Sequence, residues 1–210
     1  MADLKALSEL VQKGKAKEVE AAVQQALKEN MPVKDILEKG LIAGMSVVGE
    51  KFKNNEIYVP EVLIAARAMN KAMTILEPAL VKAGVKPVGK IAIGTVKGDL
   101  HDIGKNLVAM MFKGAGFEVV DLGIDVGPEK FADACKTKGC QLVGLSALLT
   151  TTMPNMKAII EKLKADGLKA KVIIGGAPVT QAYADEISAH GYAPDAASAV
   201  DVGKKLLGVR

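Results

Sequence analysis

Three short runs carry the residue types that do chemistry. Gly98-Asp99-Leu100-His101-Asp102-Ile103-Gly104 sets an imidazole between two carboxylates; Ser146-Ala147-Leu148 and Gly175-Gly176 follow it. The chain has only two histidines, and one of them is in this cluster. A histidine flanked by two carboxylates in such a run is poorly explained as packing. The bland reading, that His101 caps or packs a following helix, stays open on these residues alone. Several rivals fail on spacing. A P-loop needs four residues between its first glycine and Gly-Lys-Ser/Thr, whereas Gly98 to Gly104-Lys105-Asn106 leaves five and ends in Asn. The Gly-x-Gly-x-x-Gly of a dinucleotide site is absent. A metal phosphohydrolase needs several histidines, and His190 is the sole other one. A phosphorylated receiver domain wants an aspartate where Ser146 stands. Cys135 and Cys140 could share a metal only with further ligands, and none is near in sequence, so they read as reduced thiols.

These runs need elements to position them. The first 85 or so residues read as helical, with candidate helices at 4–11, 16–29, 33–52 and 60–83, which is economically a four-helix bundle. Gly84–Gly89 reads as a linker. The pattern then changes. Apolar strand runs at 90–96, 117–122, 142–146 and 171–175, with a weak fifth near Tyr192, alternate with helices at 103–115, 128–138, 153–165, 180–190 and 197–207. That alternation predicts an α/β domain: a doubly wound, parallel five-stranded sheet of the flavodoxin/Rossmann-like kind, in the order 2-1-3-4-5. The expected organisation is a helical domain over 1–85 and an α/β domain over 86–210. The three chemical runs then fall at the carboxyl ends of strands 1, 3 and 4, where such sheets bind ligands.

Composition narrows the class. Half the residues are hydrophobic and 25% are charged, as in an ordinary folded protein. No apolar run is long enough to span a bilayer, and residues 1–17 mix acidic and basic side chains without a signal core, so the expected location is cytoplasmic. A net charge of +4 with no basic block, and only 3% aromatics, argue against nucleic acid as a partner.

Taken together the three runs resemble proteins that bind cobalamin with the cofactor's own base displaced by a protein histidine. That family shares Asp-x-His-x-x-Gly, Ser-x-Leu and Gly-Gly. Here Asp99-x-His101-x-x-Gly104 is followed after 41 residues by Ser146-x-Leu148, and after 26 more by Gly175-Gly176. The resemblance implies that His101 is the lower axial ligand of a corrinoid cobalt. Asp99 would accept the other ring N–H, and Thr152 would continue the relay at a position where methionine synthase has Ser. Ser146 would hydrogen-bond the displaced tail, with Gly104, Gly175 and Gly176 giving it room. Gly98, Leu100, Asp102, Ile103, Leu148, Thr150 and, more distantly, Ala196 complete the implied cofactor-binding set.

The helical part carries the second half of the likeness. Residues 38–52 and Tyr58-Val59-Pro60-Glu61-Val62 resemble the cap of methionine synthase. Phe52 and Val59 match the residues that shield the methyl face, Val59 where that enzyme has Leu, and Glu38 matches a cap carboxylate. The resemblance therefore implies a corrinoid methyl carrier, with the cap swinging on Gly84–Gly89. Its expected partners are a substrate:corrinoid methyltransferase, a methyltransferase passing methyl to tetrahydrofolate or coenzyme M, and a reductive activating protein. Alternatives sharing the motifs are the cobalamin subunit of an adenosylcobalamin mutase, which normally lacks the helical bundle, and a cobalamin-dependent regulator, which would need a DNA-binding domain for which neither terminus leaves room.

Overall fold

The computed structural model describes residues 3–209. They form two compact units that divide between Pro87 and Val88, with Gly114–Gly116 grouped with the first.

The first unit is helical: α1 (Leu4–Gln12), α2 (Ala16–Lys28), α3 (Val33–Asp35), a π-helical segment (Ile36–Ile42), α4 (Ala43–Lys53) and α5 (Val59–Lys82). Asp3 opens α1 by accepting the Lys5 and Ala6 N–H groups at 2.8 and 3.3 Å. Glu61 closes back on the Tyr58 N–H at 3.1 Å to start α5, with Pro60 in the first turn. α2 packs on α5, and α1 packs on the π segment and α4. Leu7, Val11, Val19, Val23, Ile36, Leu41, Met45 and Met69 are buried between them. The helix expected over 33–52 is therefore interrupted by wider winding. Gly40 lies in that stretch, and a Cβ there would meet Leu7 Cδ2 at 2.6 Å, so the glycine lets α1 lie close.

The second unit is α/β: β1 (Lys90–Val96), α6 (Ile103–Gly114), β2 (Glu118–Val126), α7 (Pro128–Lys138), β3 (Leu142–Ser146), α8 (Pro154–Ala165), β4 (Lys171–Gly175), α9 (Gln181–Glu186), β5 (Gly191–Tyr192) and α10 (Ala196–Leu207). The sheet order is β2-β1-β3-β4-β5, and every pair is parallel, as the alternation predicts. β1 is almost wholly buried, which is what a central parallel strand with helices on both faces requires. Gly94 lets Phe131 of α7 lie over it, since a Cβ would come within 2.8 Å of the ring. Register aligns Thr95, Ser146 and Gly175 across β1, β3 and β4.

Within this unit two elements differ clearly from expectation. β2 continues past Leu122 to Val126, through two register shifts against β1. α9 stops at Glu186 rather than His190, because Ser188 turns left-handed (φ 56°) and the His190 N–H already bonds the Val172 carbonyl of β4 at 2.8 Å.

Candidate functional site

The loop between β1 and α6 is held by bonds to most of its backbone. The Asn155 amide donates to the Lys97 carbonyl at 2.9 Å, and the Gly98 N–H donates to Asp125 Oδ1 at 2.7 Å. The Asp125 N–H donates to the Asp99 carbonyl at 3.1 Å. The buried Thr95 hydroxyl donates to the His101 carbonyl at 2.8 Å. At the far end the Asn106 N–H and side chain bond the Asp102 carbonyl (2.8 Å) and carboxylate (3.0 Å), which starts α6.

Asp99 is the hub. It is fully buried, and its carboxylate takes five donors. Oδ1 accepts the His101 N–H at 3.1 Å and lies 2.7 Å from His101 Nδ1. Oδ2 accepts the Leu148 and Leu149 N–H groups at 2.8 and 3.3 Å and the Thr152 hydroxyl at 2.8 Å. Burial pushes the Asp99 pKa up. The bonds from Leu148, from the His101 ring and N–H, and from Thr152 more than reverse this and hold the carboxyl well below the usual range. A charged carboxylate at 2.7 Å requires the proton on Nδ1, so the lone pair is on Nε2, on a ring that is about half exposed. The Thr152 hydroxyl is buried and also reaches the Leu149 carbonyl at 2.8 Å, so its one proton serves either acceptor.

The imidazole stands among apolar side chains that face solvent. Leu100 is 67% exposed, Ile103 80%, Leu148 44% and Leu149 42%, far more than packing would leave open. Among the described residues no three His, Cys, Asp or Glu side chains converge to hold a bare metal ion. One free imidazole nitrogen within an apolar floor fits a metal that brings its own equatorial ligands on a broad, largely apolar ring. A corrinoid is such a group, and His101 would hold its cobalt.

The glycines differ in what they do. A Cβ on Gly104 would meet nothing within 4 Å, so space is open there. Gly176 has φ 131°, and its Cβ would lie 1.9 Å from the Ala147 carbonyl oxygen, while one on Gly175 would come to 3.0 Å from that of Ala193. These two admit neighbouring protein backbone at the ends of β3 and β5. Thr150 is exposed in the turn before α8, and Ala196 is buried in the first turn of α10 behind the Asp195 cap.

The remaining expected positions are in the helical unit. Phe52, half-buried at the end of α4, and Val59, 36% exposed at the start of α5, flank the connecting loop. Glu38 is exposed in the π segment, 3.7 Å from Lys34. The other histidine, His190, lies at the opposite edge of the sheet, where Nδ1 accepts the Val172 N–H at 3.1 Å. Cys135 and Cys140 are buried free thiols; burial pushes Cys135 up to about 11.

Sequence reasoning missed Thr95, Asp125 and Asn155. Thr95 sits within an apolar strand run, and the other two reach the loop from β2 and α8, with no sequence spacing to link them.

Comparison with known proteins identifies the family. Two family models match, both described as B12 binding domain, over residues 89–201 and 3–77. A dimethylamine corrinoid protein of Methanosarcina acetivorans is 46% identical over 208 residues, covering 97% of this chain and 95% of the relative. The crystal structure of a cobalamin-binding protein from Desulfitobacterium hafniense superposes with a TM-score of 0.81 at 32% identity, over 98% of this chain and 99% of that one. A chain of the methanol:cobalamin methyltransferase complex of Methanosarcina barkeri gives 0.86 at 28% identity, over 96% and 78%. Motifs, fold and matches converge: the chain belongs to the B12-binding family of corrinoid proteins, and its cofactor is a cobalamin-type corrinoid.

Proposed function

We propose that this protein carries a methyl group on its corrinoid between two methyltransferases, with His101 as the protein's ligand to cobalt in place of the cofactor's own base. The observation that carries the reading is the 2.7 Å pairing of Asp99 with Nδ1, which leaves Nε2 free in an apolar setting. When bound, the corrinoid supplies a cobalt centre that takes up and gives up methyl. The chain's own residues do the rest. Asp99 keeps the proton on Nδ1 and orients the ring. Thr152 adds a hydroxyl to the same carboxylate and continues the relay. Leu100, Ile103, Leu148 and Leu149 exclude water beneath the ring, while Ser146 and the open space at Gly104 accommodate the displaced tail. Phe52 and Val59 belong to the helical cap and shield the methyl face, and Glu38 is the cap's carboxylate.

The donor we favour is a methylamine, because a relative 46% identical is named a dimethylamine corrinoid protein. The partners are then a methylamine:corrinoid methyltransferase, a second enzyme that hands methyl to tetrahydrofolate or coenzyme M, and a reductive activating protein. Nitrogen-15-labelled protein loaded with cobalamin and brought to Co(II) tests the ligand. Its EPR spectrum should show axial splitting from a protein nitrogen, and His101→Ala should lose that splitting while keeping the corrinoid. Splitting that persists in the variant would rule His101 out. Methyl transfer from dimethylamine, with its methyltransferase added, tests the donor.

A further inference from the structure

The structure assigns Asp125 the role of a positioning residue that holds the ligand loop so that Asp99 and His101 stay paired. This inference rests on the reading of His101 as cobalt ligand. Asp125 grips one stretch of backbone from two sides: its carboxylate accepts the Gly98 N–H at 2.7 Å, and its own N–H bonds the Asp99 carbonyl at 3.1 Å. Gly98 is left-handed (φ 80°), so the chain turns sharply at the point being held.

The strand is built to deliver this side chain. β1 and β2 pair as Lys90↔Glu118 through Ile93↔Asp121, then as Gly94↔Gly123 and Val96↔Val126. Without the shifts Val96 would face residue 124, so β2 has taken in two extra residues, one at each shift. Bulges of this kind re-aim side chains beside functional sites. Here they place Asp125, itself left-handed at φ 53°, against the loop rather than in the ladder. A non-glycine residue is uncommon in that conformation, although aspartate enters it more readily than most. The first bulge has its own anchor. Asp121 accepts the Gly123 N–H at 2.9 Å and takes Lys105 Nζ at 2.6 and 2.7 Å. Lys105 follows His101 by four residues in α6, so β2 secures the ligand loop at both ends. Asp125 is exposed, and its replacement opens no core.

Two substitutions separate anchoring from backbone strain. Asp125→Gly accepts φ 53° freely but has no acceptor; Asp125→Asn keeps an oxygen acceptor and tolerates the left-handed region. In cobalamin-loaded protein, loss of the hydrogen bond that holds the Gly98 N–H should weaken ligation by His101 about tenfold. A nitrogen ligand favours Co(II) over four-coordinate Co(I), so the Co(II)/Co(I) midpoint of Asp125→Gly should rise by about 59 mV, the one-electron equivalent of tenfold. Asp125→Asn should stay close to wild type. In apo-protein the Gly98 amide should be protected from hydrogen exchange in wild type and Asp125→Asn but not in Asp125→Gly. A wild-type potential in Asp125→Gly, or an equal shift in both variants, would overturn the assignment. Should Asp125→Gly fail to fold, Asp125→Ala takes its place, and Gly98 protection equal to wild type in that variant refutes anchoring. A wild-type protein with no protein nitrogen on cobalt would refute the His101 reading, while the apo exchange comparison would still judge the anchor.

Discussion

If His101 is the proposed cobalt ligand, Asp99→Asn should weaken its ligation although it replaces a single heavy atom. The wild-type carboxylate accepts at both oxygens: two donors from His101 on Oδ1, and Leu148, Leu149 and Thr152 on Oδ2. An amide has one oxygen and one NH2. If the oxygen faces Leu148 and Leu149, the NH2 confronts the His101 N–H and Nδ1–H. The easiest escape moves the ring proton to Nε2, so that Nδ1 accepts from the amide, and it still leaves the His101 N–H without a partner. The reverse orientation sets the NH2 against two backbone N–H groups and is worse. Restoring the ligating tautomer would put Nδ1–H back against a donor, a conflict costing about 1–3 kcal/mol, or roughly five- to 150-fold in ligation. The assay is the visible spectrum and Co(II) EPR of the loaded variant, with corrinoid content measured separately. The expected result is full corrinoid and a diminished protein-nitrogen signal. Undiminished ligation in Asp99→Asn would refute the tautomer mechanism. The variant should also lose one acid-sensitive part of its stability. The folded Asp99 pKa is depressed, so its contribution is present above the ordinary carboxylate value of about 3.9 and is lost as pH falls toward the folded value.

Three further expectations rest on other parts of the α/β unit. Gly176→Ala sets a Cβ 1.9 Å from the Ala147 carbonyl oxygen at φ 131°, and should destabilise the apo-protein by about 3 kcal/mol in urea unfolding. Gly104→Ala meets nothing within 4 Å and should leave apo stability intact yet weaken corrinoid binding; unchanged binding would show that the space at Gly104 is not used. Burial, and then Lys171 and Lys164, depress the His190 pKa. Its Nδ1 must stay unprotonated to accept the Val172 N–H. The unfolded chain therefore binds this proton more readily, and stability should fall as pH drops below about 6.5 toward the lower folded value. His190→Asn keeps an acceptor in the same place and does not titrate. Thermal melts from pH 7.5 to 5.5 should show a smaller acid loss in that variant, and equal losses would clear His190 of the effect.

How much of this site could be read from the sequence depended on whether a residue's role follows from its own segment. Thr152 was reached only through the resemblance to methionine synthase. The run that holds His101 and Asp99 was legible because it lies just beyond the end of an apolar strand run, and the parallel register brings such ends to one edge. Thr95, Ser146 and Gly175 face one another across three strands as that logic requires. Gly176 was legible as a motif, but its reason was not. The close approach that demands a glycine is to the Ala147 carbonyl at the exit of β3, a contact no linear spacing reports. The π segment at 36–42 also left no trace, since wider winding preserves the run of apolar residues on the buried face.

Asp125 shows why the rest stayed hidden. Gly123 and Asp125 are residues of the kind that end strands, so the apolar run of β2 reads as finished at Leu122. Their positive φ values, 87° and 53°, do mark departures from regular strand geometry, but as bulges within continued pairing rather than as a turn away from the sheet. The tertiary structure decided between the two: Val126 is buried under α7 and pairs with Val96, which holds the strand in the sheet beyond its irregular stretch. The local signal was the same for both outcomes. The difference lies in the Gly98 N–H and the Asp99 carbonyl, two backbone groups on a loop more than twenty residues away that bond Asp125 from both sides.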